Sequence, residues 1–232
     1  MTSVWRCWFV AVMVAVLATP LQASGEQLVT VGGAQALLNS PVDPKGAIIL
    51  VPGSDGHLNL TPEGMVMSLK GNQLVRTRWH YAALGFVTLL VDRPVPLADA
   101  IAFVRSIAKP VIVVANSRGA LRVPDVLAGK PDALVITSGV LEELRATLGQ
   151  PNALPPTLLV HHTDDACFAT TPASAEQFRV WAKGRVELHW LSGGVALGDP
   201  CRARGYHGFN GIDEKVVAAV VEFAMRKHRK RD

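Results

Sequence analysis

The sequence predicts an α/β fold in which a mostly parallel central sheet carries helices on both faces. From residue 46 onward, short apolar segments alternate with longer segments, and the apolar segments are continuous runs of Val, Ile and Leu. Continuous runs of this kind are typical of strands that are covered on both faces. The chain has 232 residues, 49% of them hydrophobic, which is enough for one domain with a large core.

Each predicted strand ends in a polar or glycine-containing turn, and a helix pattern follows most of them. The predicted strands are an edge strand at 28–31 and core strands at 47–51, 86–91, 111–115, 133–138, 157–162 and 185–191. The predicted helices lie at 63–85 (one long or broken helix), 96–108, 173–182 and 211–228. In such sheets the crossovers are nearly always right-handed, and ligands bind at the carboxyl ends of the strands.

The first 24 residues are predicted to be a signal peptide rather than part of the fold. Arg6 precedes a short apolar run, and small residues follow near positions 23–25. A membrane anchor is the alternative, although the run falls short of the roughly 20 apolar residues that a spanning helix needs. We therefore predict a folded domain over 26–226 in a periplasmic or secreted protein, with no stable membrane insertion after signal removal.

The formal net charge of +4 is concentrated at the C-terminus, where residues 227–232 are predicted to form a basic tail. Residues 226–232 hold five basic residues and one acidic residue, and removal of Arg6 with the signal peptide leaves the rest of the chain with a net charge near −1. A nucleic-acid-binding domain is expected to carry a basic face within its fold. The sequence therefore predicts no nucleic-acid partner.

Ser117 directly follows the strand predicted at 111–115. It is flanked by the small residues Ala115 and Gly119, which let strand and helix backbones come close together in a nucleophile elbow. Such a turn places the hydroxyl at the rim of the sheet and directs backbone N–H groups towards a developing oxyanion. The alternative is that Ser117 only caps the following helix.

A serine hydroxyl becomes a good nucleophile when a base takes its proton and an acid orients that base. Asp164 and Asp165 follow the strand predicted at 157–162, and His207 lies in the loop after the last strand. The order Ser, Asp, His along the chain is the one expected for a serine on such an elbow. The sequence therefore predicts a triad of Ser117, His207 and one of these two aspartates.

The segments around these residues resemble those of α/β-hydrolases. They are VPGSDG at 51–56, ANSRGA at 115–120, VHHTDD at 160–165 and YHGF at 206–209. The resemblance covers residues 46–226. Within the α/β-hydrolases, the chain resembles most specifically secreted bacterial members whose substrates are mostly unassigned. It implies the α/β-hydrolase fold and a serine hydrolase activity.

Carried over to this sequence, the resemblance implies Ser117 as nucleophile and His207 as general base. The acid of such proteins usually lies four residues after the first histidine of the VHH segment, which makes it Asp165, with Asp164 as the alternative. The resemblance also implies an oxyanion hole formed by the backbone N–H groups of Ser54 and Arg118.

Three arginines are candidates for substrate contact. Arg76 and Arg78 lie on the helix predicted after the first core strand, Arg93 follows the second core strand, and each could bind a substrate carboxylate or phosphate through two parallel hydrogen bonds. The alternative is that they pair with nearby acids at the surface. Arg118, beside the nucleophile, is expected to line the pocket.

Cys167 and Cys201 remain once Cys7 leaves with the signal peptide, and we expect them to form a disulfide in an oxidising compartment. Two separate buried thiols are the alternative. A zinc site around His161 and His162 is rejected because adjacent residues on a strand point to opposite faces. We expect no metal and no other cofactor.

The segment between the strands predicted at 133–138 and 157–162 has only about 18 residues, too few for a helical cap domain. An open site suits small or protruding acyl groups, so the sequence favours a carboxylic-ester hydrolase that acts on small-molecule esters through an acyl-enzyme. A peptidase, amidase or thioesterase would use the same triad. A non-catalytic periplasmic binding protein on a hydrolase fold is the other alternative. The sequence does not indicate the oligomeric state.

Overall fold

The computed structural model describes residues 25–229. The predicted signal segment and residues 230–232 lie outside the described residues. Eight strands form one sheet: β1 (Gln27–Val31), β2 (Ala34–Asn39), β3 (Ala47–Val51), β4 (Val87–Val91), β5 (Val111–Asn116), β6 (Ala133–Thr137), β7 (Thr157–His162) and β8 (Val186–Leu191). The α-helices of the described range are α1 (Gln73–Ala83), α2 (Leu97–Arg105), α3 (Val123–Ala128), α4 (Leu141–Leu148), α5 (Pro172–Trp181) and α6 (Asp213–Arg229).

The strand order is β1-β2-β4-β3-β5-β6-β7-β8, and every pair from β4 to β8 in that order is parallel. The predicted mostly parallel sheet is therefore confirmed. Strand β2 was not predicted, and it pairs antiparallel with both β1 and β4. Gly32 and Gly33 join β1 to β2 with φ of 56° and 81°, the left-handed conformation that a two-residue hairpin turn requires.

Helices cover both faces of the sheet because alternate side chains of each core strand point to opposite sides. Ile48 and Leu50 pack in the cluster that contains the apolar residues of α1 and α6, whereas Ile49 packs with those of α2 to α5. All five residues of β3 are buried, as expected for a strand covered on both faces. Between residues 25 and 229, each helix is too short or not apolar enough to cross a membrane.

The helix predicted at 63–85 is shorter in the structure and begins at Gln73. Asn72 caps it, since its side chain accepts a hydrogen bond from the backbone N–H of Leu74 at 3.1 Å. Residues 63–72 form a loop instead, in which Leu69 has a φ of 58° that a helix does not allow. At the other end of the chain, α6 continues past residue 226 into the segment predicted as a tail.

Candidate active site

Ser117 occupies a sharp turn between β5 and a short 3-10 helix, Ser117–Arg122. Its φ of 52° lies in the left-handed region, which is uncommon for a residue with a side chain and is found at strained functional turns. A Cβ at Gly119 would lie 2.6 Å from the carbonyl oxygens of Val51 and Pro52. The elbow therefore requires glycine at 119, because β3 passes directly against the turn.

Gly119→Ala is expected to lower the free energy of unfolding by about 1–3 kcal/mol, the usual cost of overpacking, because the added methyl group meets backbone that cannot move aside cheaply. Urea denaturation of both proteins measures the difference. Gly71→Ala is the matched control, since its Cβ would contact only the Ala203 Cβ at 3.4 Å. Equal destabilisation of the two variants would contradict the close approach at Gly119.

Ser117, His207 and Asp165 form a continuous hydrogen-bonded chain at the carboxyl ends of β5, β8 and β7. The Ser117 Oγ lies 3.1 Å from Nε2 of His207, and Nδ1 of His207 lies 3.2 Å from Oδ2 of Asp165. The Asp165 carboxylate is fully buried, His207 is nearly so, and Ser117 is half-buried. A neutral imidazole that accepts the serine proton at Nε2 carries its own proton on Nδ1.

The two adjacent aspartates occupy different environments. The Asp164 side chain is 63% exposed; its Oδ2 lies 3.9 Å from Nδ1 of His162 and accepts a hydrogen bond from the Thr163 hydroxyl at 3.3 Å. The Asp165 carboxylate faces His207, and its Oδ1 accepts a hydrogen bond from the backbone N–H of Cys167 at 2.9 Å. The geometry therefore brings Asp165, and not Asp164, to the histidine.

Thr170 also belongs to this group, although the sequence analysis did not predict it. Its hydroxyl donates a hydrogen bond to Oδ2 of Asp165 at 2.9 Å and lies 2.9 Å from Nδ1 of His207. Its carbonyl oxygen accepts a hydrogen bond from Nε2 of His161 at 2.8 Å. Thr170 is fully buried, so the acid and the base share a hydroxyl that is shielded from water.

The neighbouring histidines His161 and His162 contact different parts of the protein. His161 supports Thr170, whereas His162 stacks on Tyr206 with ring centroids 4.5 Å apart. His162 Nδ1 accepts the backbone N–H of Asp164 at 3.0 Å, so Nε2 carries the proton and donates to the Gly193 carbonyl at 2.8 Å. Within residues 25–229, no group of three or more His, Cys, Asp or Glu is placed to hold a metal ion.

Burial lowers the pKa of His161 below the ordinary histidine value of about 6.5. The nearby Asp165 carboxylate and the hydrogen bond to Thr170 raise it, but burial dominates, and His207 and His162 lower it further. As the pH falls, His161 therefore binds a proton at a higher pH in the unfolded chain than in the folded protein.

We expect this difference to reduce the free energy of unfolding as the pH falls below about 6.5 towards the lower pKa of the folded state. Urea denaturation between pH 7 and pH 5 measures the loss, and His161→Gln supplies the comparison. A pH dependence that is equally steep in the variant would show that other groups cause it.

A cavity of about 520 Å³ opens above Ser117. Its lining includes polar residues at the ends of β3 and β5, apolar side chains and residues of the loops that carry the acid and the histidine: Ser54, Leu69, Asn72, Asn116, Ser117, Arg118, Val140, Cys167, Phe168, Arg202 and His207. Arg118, the residue after the serine, is part of this lining. Phe168 is 89% exposed, so an apolar ring is available at the rim.

Two of the lining residues carry the backbone N–H groups predicted for an oxyanion hole. Arg118 is the second residue of the 3-10 helix Ser117–Arg122, so its N–H has no acceptor within that helix. Ser54 follows Gly53, whose Cβ, if present, would lie 2.8 Å from the Cβ of Ser117. The loop after β3 and the serine turn are therefore in contact.

Arg76 and Arg93 do not line this cavity. The Arg76 guanidinium pairs with Asp213 through hydrogen bonds of 2.7 and 2.8 Å and donates to the Gly208 carbonyl at 2.7 Å. Arg93 is exposed and donates to the Asp55 carbonyl at 3.0 Å. The arrangement of Arg76 matches the alternative of pairing with a nearby acid, and it ties α1 to the loop that carries the histidine.

Asn116, which the sequence analysis did not single out, connects the elbow to α1 and β6. Its Oδ1 accepts a hydrogen bond from Nδ2 of Asn72 at 2.7 Å, and its Nδ2 donates to Oγ1 of Thr137 at 3.0 Å. Because Asn116 is buried and directly precedes Ser117, these bonds fix the start of the turn.

The predicted disulfide between Cys167 and Cys201 is present, with the two Cα atoms 4.6 Å apart. Cys167 lies two residues after Asp165, and Cys201 lies in the loop that leads to His207. The bond therefore joins the acid loop to the histidine loop beside the cavity.

Comparison with protein-family models and with curated proteins finds no match. Among solved structures, an α/β serine hydrolase homologue from Coxiella burnetii is 19% identical, with a TM-score of 0.57 and coverage of 88% of this chain and 99% of that chain. XC6422 from Xanthomonas campestris, described as an α/β serine hydrolase without lid, is 13% identical, with a TM-score of 0.60 and coverage of 91% and 97%.

An esterase/lipase from an uncultured bacterium is 14% identical, with a TM-score of 0.56 and coverage of 88% of this chain and 85% of that chain. At these identities the likeness concerns the fold. It agrees with the mostly parallel sheet and with the absence of a cap between β6 and β7, where only α4 and a short 3-10 turn at Pro151–Ala153 lie. Residues 25–229 of this chain therefore have the α/β-hydrolase fold, without a cap domain.

Proposed function

We propose that the protein is a serine hydrolase that cleaves small carboxylic esters through an acyl-enzyme intermediate. The observation that carries this proposal is the hydrogen-bonded chain from Ser117 through His207 to Asp165, with distances of 3.1 and 3.2 Å. These distances lie within or at the edge of the range in which a base can take a proton from a nucleophile. The fold shared with serine hydrolases supports the proposal as an analogy.

In the first half of the reaction, Ser117 Oγ attacks the ester carbonyl while its proton passes to Nε2 of His207. The backbone N–H groups of Arg118 and Ser54 stabilise the oxyanion that develops on the carbonyl oxygen. The protonated His207 then gives its proton to the leaving alcohol, and the acyl group remains on the serine.

In the second half, His207 takes a proton from a water molecule, which attacks the acyl-enzyme. A second tetrahedral intermediate forms with its oxyanion in the same position; its collapse breaks the bond to Ser117 Oγ, releases the carboxylic acid, and Oγ takes the proton back from His207. Asp165 keeps the imidazole in the orientation and tautomer that leave Nε2 free to accept a proton.

The shape of the site favours esters of modest size over larger substrates. The cavity of about 520 Å³ is within the range of small-molecule sites, and no cap domain closes it. Leu69, Val140 and Phe168 give it apolar walls against which an acyl chain can lie. Activated amides and thioesters have the same carbonyl geometry, so an ester panel with thioester and amide analogues defines the leaving group.

We also propose a periplasmic or secreted location. The apolar N-terminal segment with small residues after it supports export. The disulfide supports an oxidising compartment, because such bonds are rare in reducing ones.

Labelling with a fluorophosphonate probe tests the proposed function without knowledge of the substrate. We expect the probe to form an adduct on Ser117, located by peptide mass spectrometry, in the native protein only. Heat-denatured protein and the Ser117→Ala variant are the controls. Absence of an adduct on the folded, disulfide-bonded protein would favour a non-catalytic binding protein on the same fold.

A further inference from the structure

We propose that Thr170 is a positioning residue of the active site, whose hydroxyl links the acid to the base. This inference rests on the proposed function, because it assigns a role within the same hydrolytic site. It goes beyond the triad in naming a fourth side chain whose hydroxyl, rather than its shape, sets the orientation of His207.

The geometry assigns a direction to each hydrogen bond around the hydroxyl. Thr170 has one hydroxyl proton, which points to Oδ2 of Asp165 at 2.9 Å. Its oxygen therefore offers a lone pair to the Nδ1–H of His207, also at 2.9 Å. The direct distance from Nδ1 to Oδ2 is longer, at 3.2 Å, so the hydroxyl is the nearer acceptor.

This arrangement gives the imidazole proton two acceptors, and each restrains the ring plane. A single acceptor permits rotation about the Nδ1–H axis, whereas two acceptors in different directions restrict it. The Nε2 lone pair then stays directed at Ser117 Oγ. When Nε2 takes the serine proton, the proton on Nδ1 stays in place. The positive charge of the imidazolium is then stabilised by the hydrogen bonds of Nδ1–H to Thr170 and Asp165.

Two hydrogen bonds to its backbone fix the position of Thr170. Its carbonyl oxygen accepts a hydrogen bond from Nε2 of the buried His161 at 2.8 Å, and its backbone N–H donates to the Cys167 carbonyl at 3.1 Å. Cys167 in turn donates its N–H to the other carboxylate oxygen of Asp165 at 2.9 Å. The loop from 165 to 170 thus closes on itself around the carboxylate.

The buried carboxylate also depends on this hydroxyl. No Lys or Arg of the described residues forms an ion pair with Asp165; its oxygens are satisfied by Cys167, Thr170 and His207. A buried charged group without hydrogen-bond donors is costly. Removal of the Thr170 hydroxyl therefore withdraws a donor from the acid and an acceptor from the base in one step.

The test compares Thr170→Val, which keeps the shape and loses the hydroxyl, with Thr170→Ser, which keeps the hydroxyl. Thr157→Val is the matched control, because Thr157 is equally buried and its hydroxyl donates only to the Pro155 carbonyl at 2.8 Å, at the other end of β7. Ester hydrolysis and the rate of fluorophosphonate labelling are measured for each.

We expect Thr170→Val to lower kcat and the labelling rate by about 10- to 100-fold, as small misplacements of catalytic groups do, with KM changed by less than about 2-fold. Thr170→Ser should recover most of the rate, and Thr157→Val should match the wild type. Equal losses in the Val and Ser variants, or no loss in the Val variant, would overturn the proposal.

Proton NMR of protein with isotope-labelled histidine provides a readout that does not depend on turnover. The His207 Nδ1–H resonance should move in Thr170→Val and return in Thr170→Ser, and an unmoved resonance would overturn the proposal. Should Thr170→Val fail to fold, Thr170→Ala replaces it in both measurements. Failure of the wild type to label would instead refute the proposed function. The His207 resonance would still show whether the Thr170 hydroxyl contacts Nδ1–H.

Discussion

Ser117→Ala is expected to reduce the kcat for a small ester such as p-nitrophenyl acetate by a factor of about a million, to the level of background catalysis. The variant keeps the cavity, the histidine and the acid but has no oxygen to attack the carbonyl. Binding is expected to persist, so KM should change far less than kcat. Initial rates over a range of ester concentrations separate the two parameters.

Ser138→Ala is the matched control for this prediction. Ser138 is also a buried serine at the carboxyl end of a parallel strand, next to β5 in the sheet, and its φ of 43° is likewise left-handed. Its Oγ has no hydrogen-bond partner among the described residues, so no base activates it. We expect wild-type kcat in this variant. Full activity in Ser117→Ala, or loss of activity in Ser138→Ala, would contradict the assignment of Ser117 as the nucleophile.

The position of the site could be predicted from the sequence because a parallel sheet gathers the carboxyl ends of its strands at one edge. The apolar runs located those ends, and small residues around Ser117 marked the elbow. His207 is 90 residues away from Ser117 along the chain, yet it lies after the last strand, where the fold returns the loop to the same edge.

The short-range details could not be predicted because they depend on the exact course of the loops. Asp164 and Asp165 are adjacent in sequence, and only the turn after β7 decides which one is buried. Thr170 carries no signal of its own, since a threonine in a loop is usually exposed or caps a helix. The Gly-Gly turn between β1 and β2 did carry a signal for a hairpin, which the sequence analysis missed.

Arg76 illustrates a second limit. Its partner Asp213 lies 137 residues further along the chain, so the choice between substrate contact and ion pair depended on the packing of α1 against α6. The sequence places Arg76 on the helix after β3, but the direction of its side chain depends on the contact with Asp213 of α6.

Asp165→Asn is expected to lower kcat by about 10⁴-fold, the loss seen when a triad acid is made neutral with its shape retained. In the variant, the amide oxygen can stay with the Cys167 N–H, the partner of Oδ1 in the wild type. The amide NH₂ then takes the place of Oδ2, where it faces Nδ1 of His207. A donor at that position favours the tautomer with the proton on Nε2, which cannot accept the proton of Ser117.

Asp164→Asn supplies the comparison at the neighbouring position. Because the Asp164 side chain is 63% exposed and lies away from His207, we expect its kcat to stay within about 2-fold of the wild type. The pair of variants separates loss of the triad acid from a general change in local charge, since both remove one negative charge from the same turn. If Asp164→Asn lost the activity and Asp165→Asn kept it, the acid would be the exposed residue, and the buried hydrogen-bonded chain would not be the catalytic one.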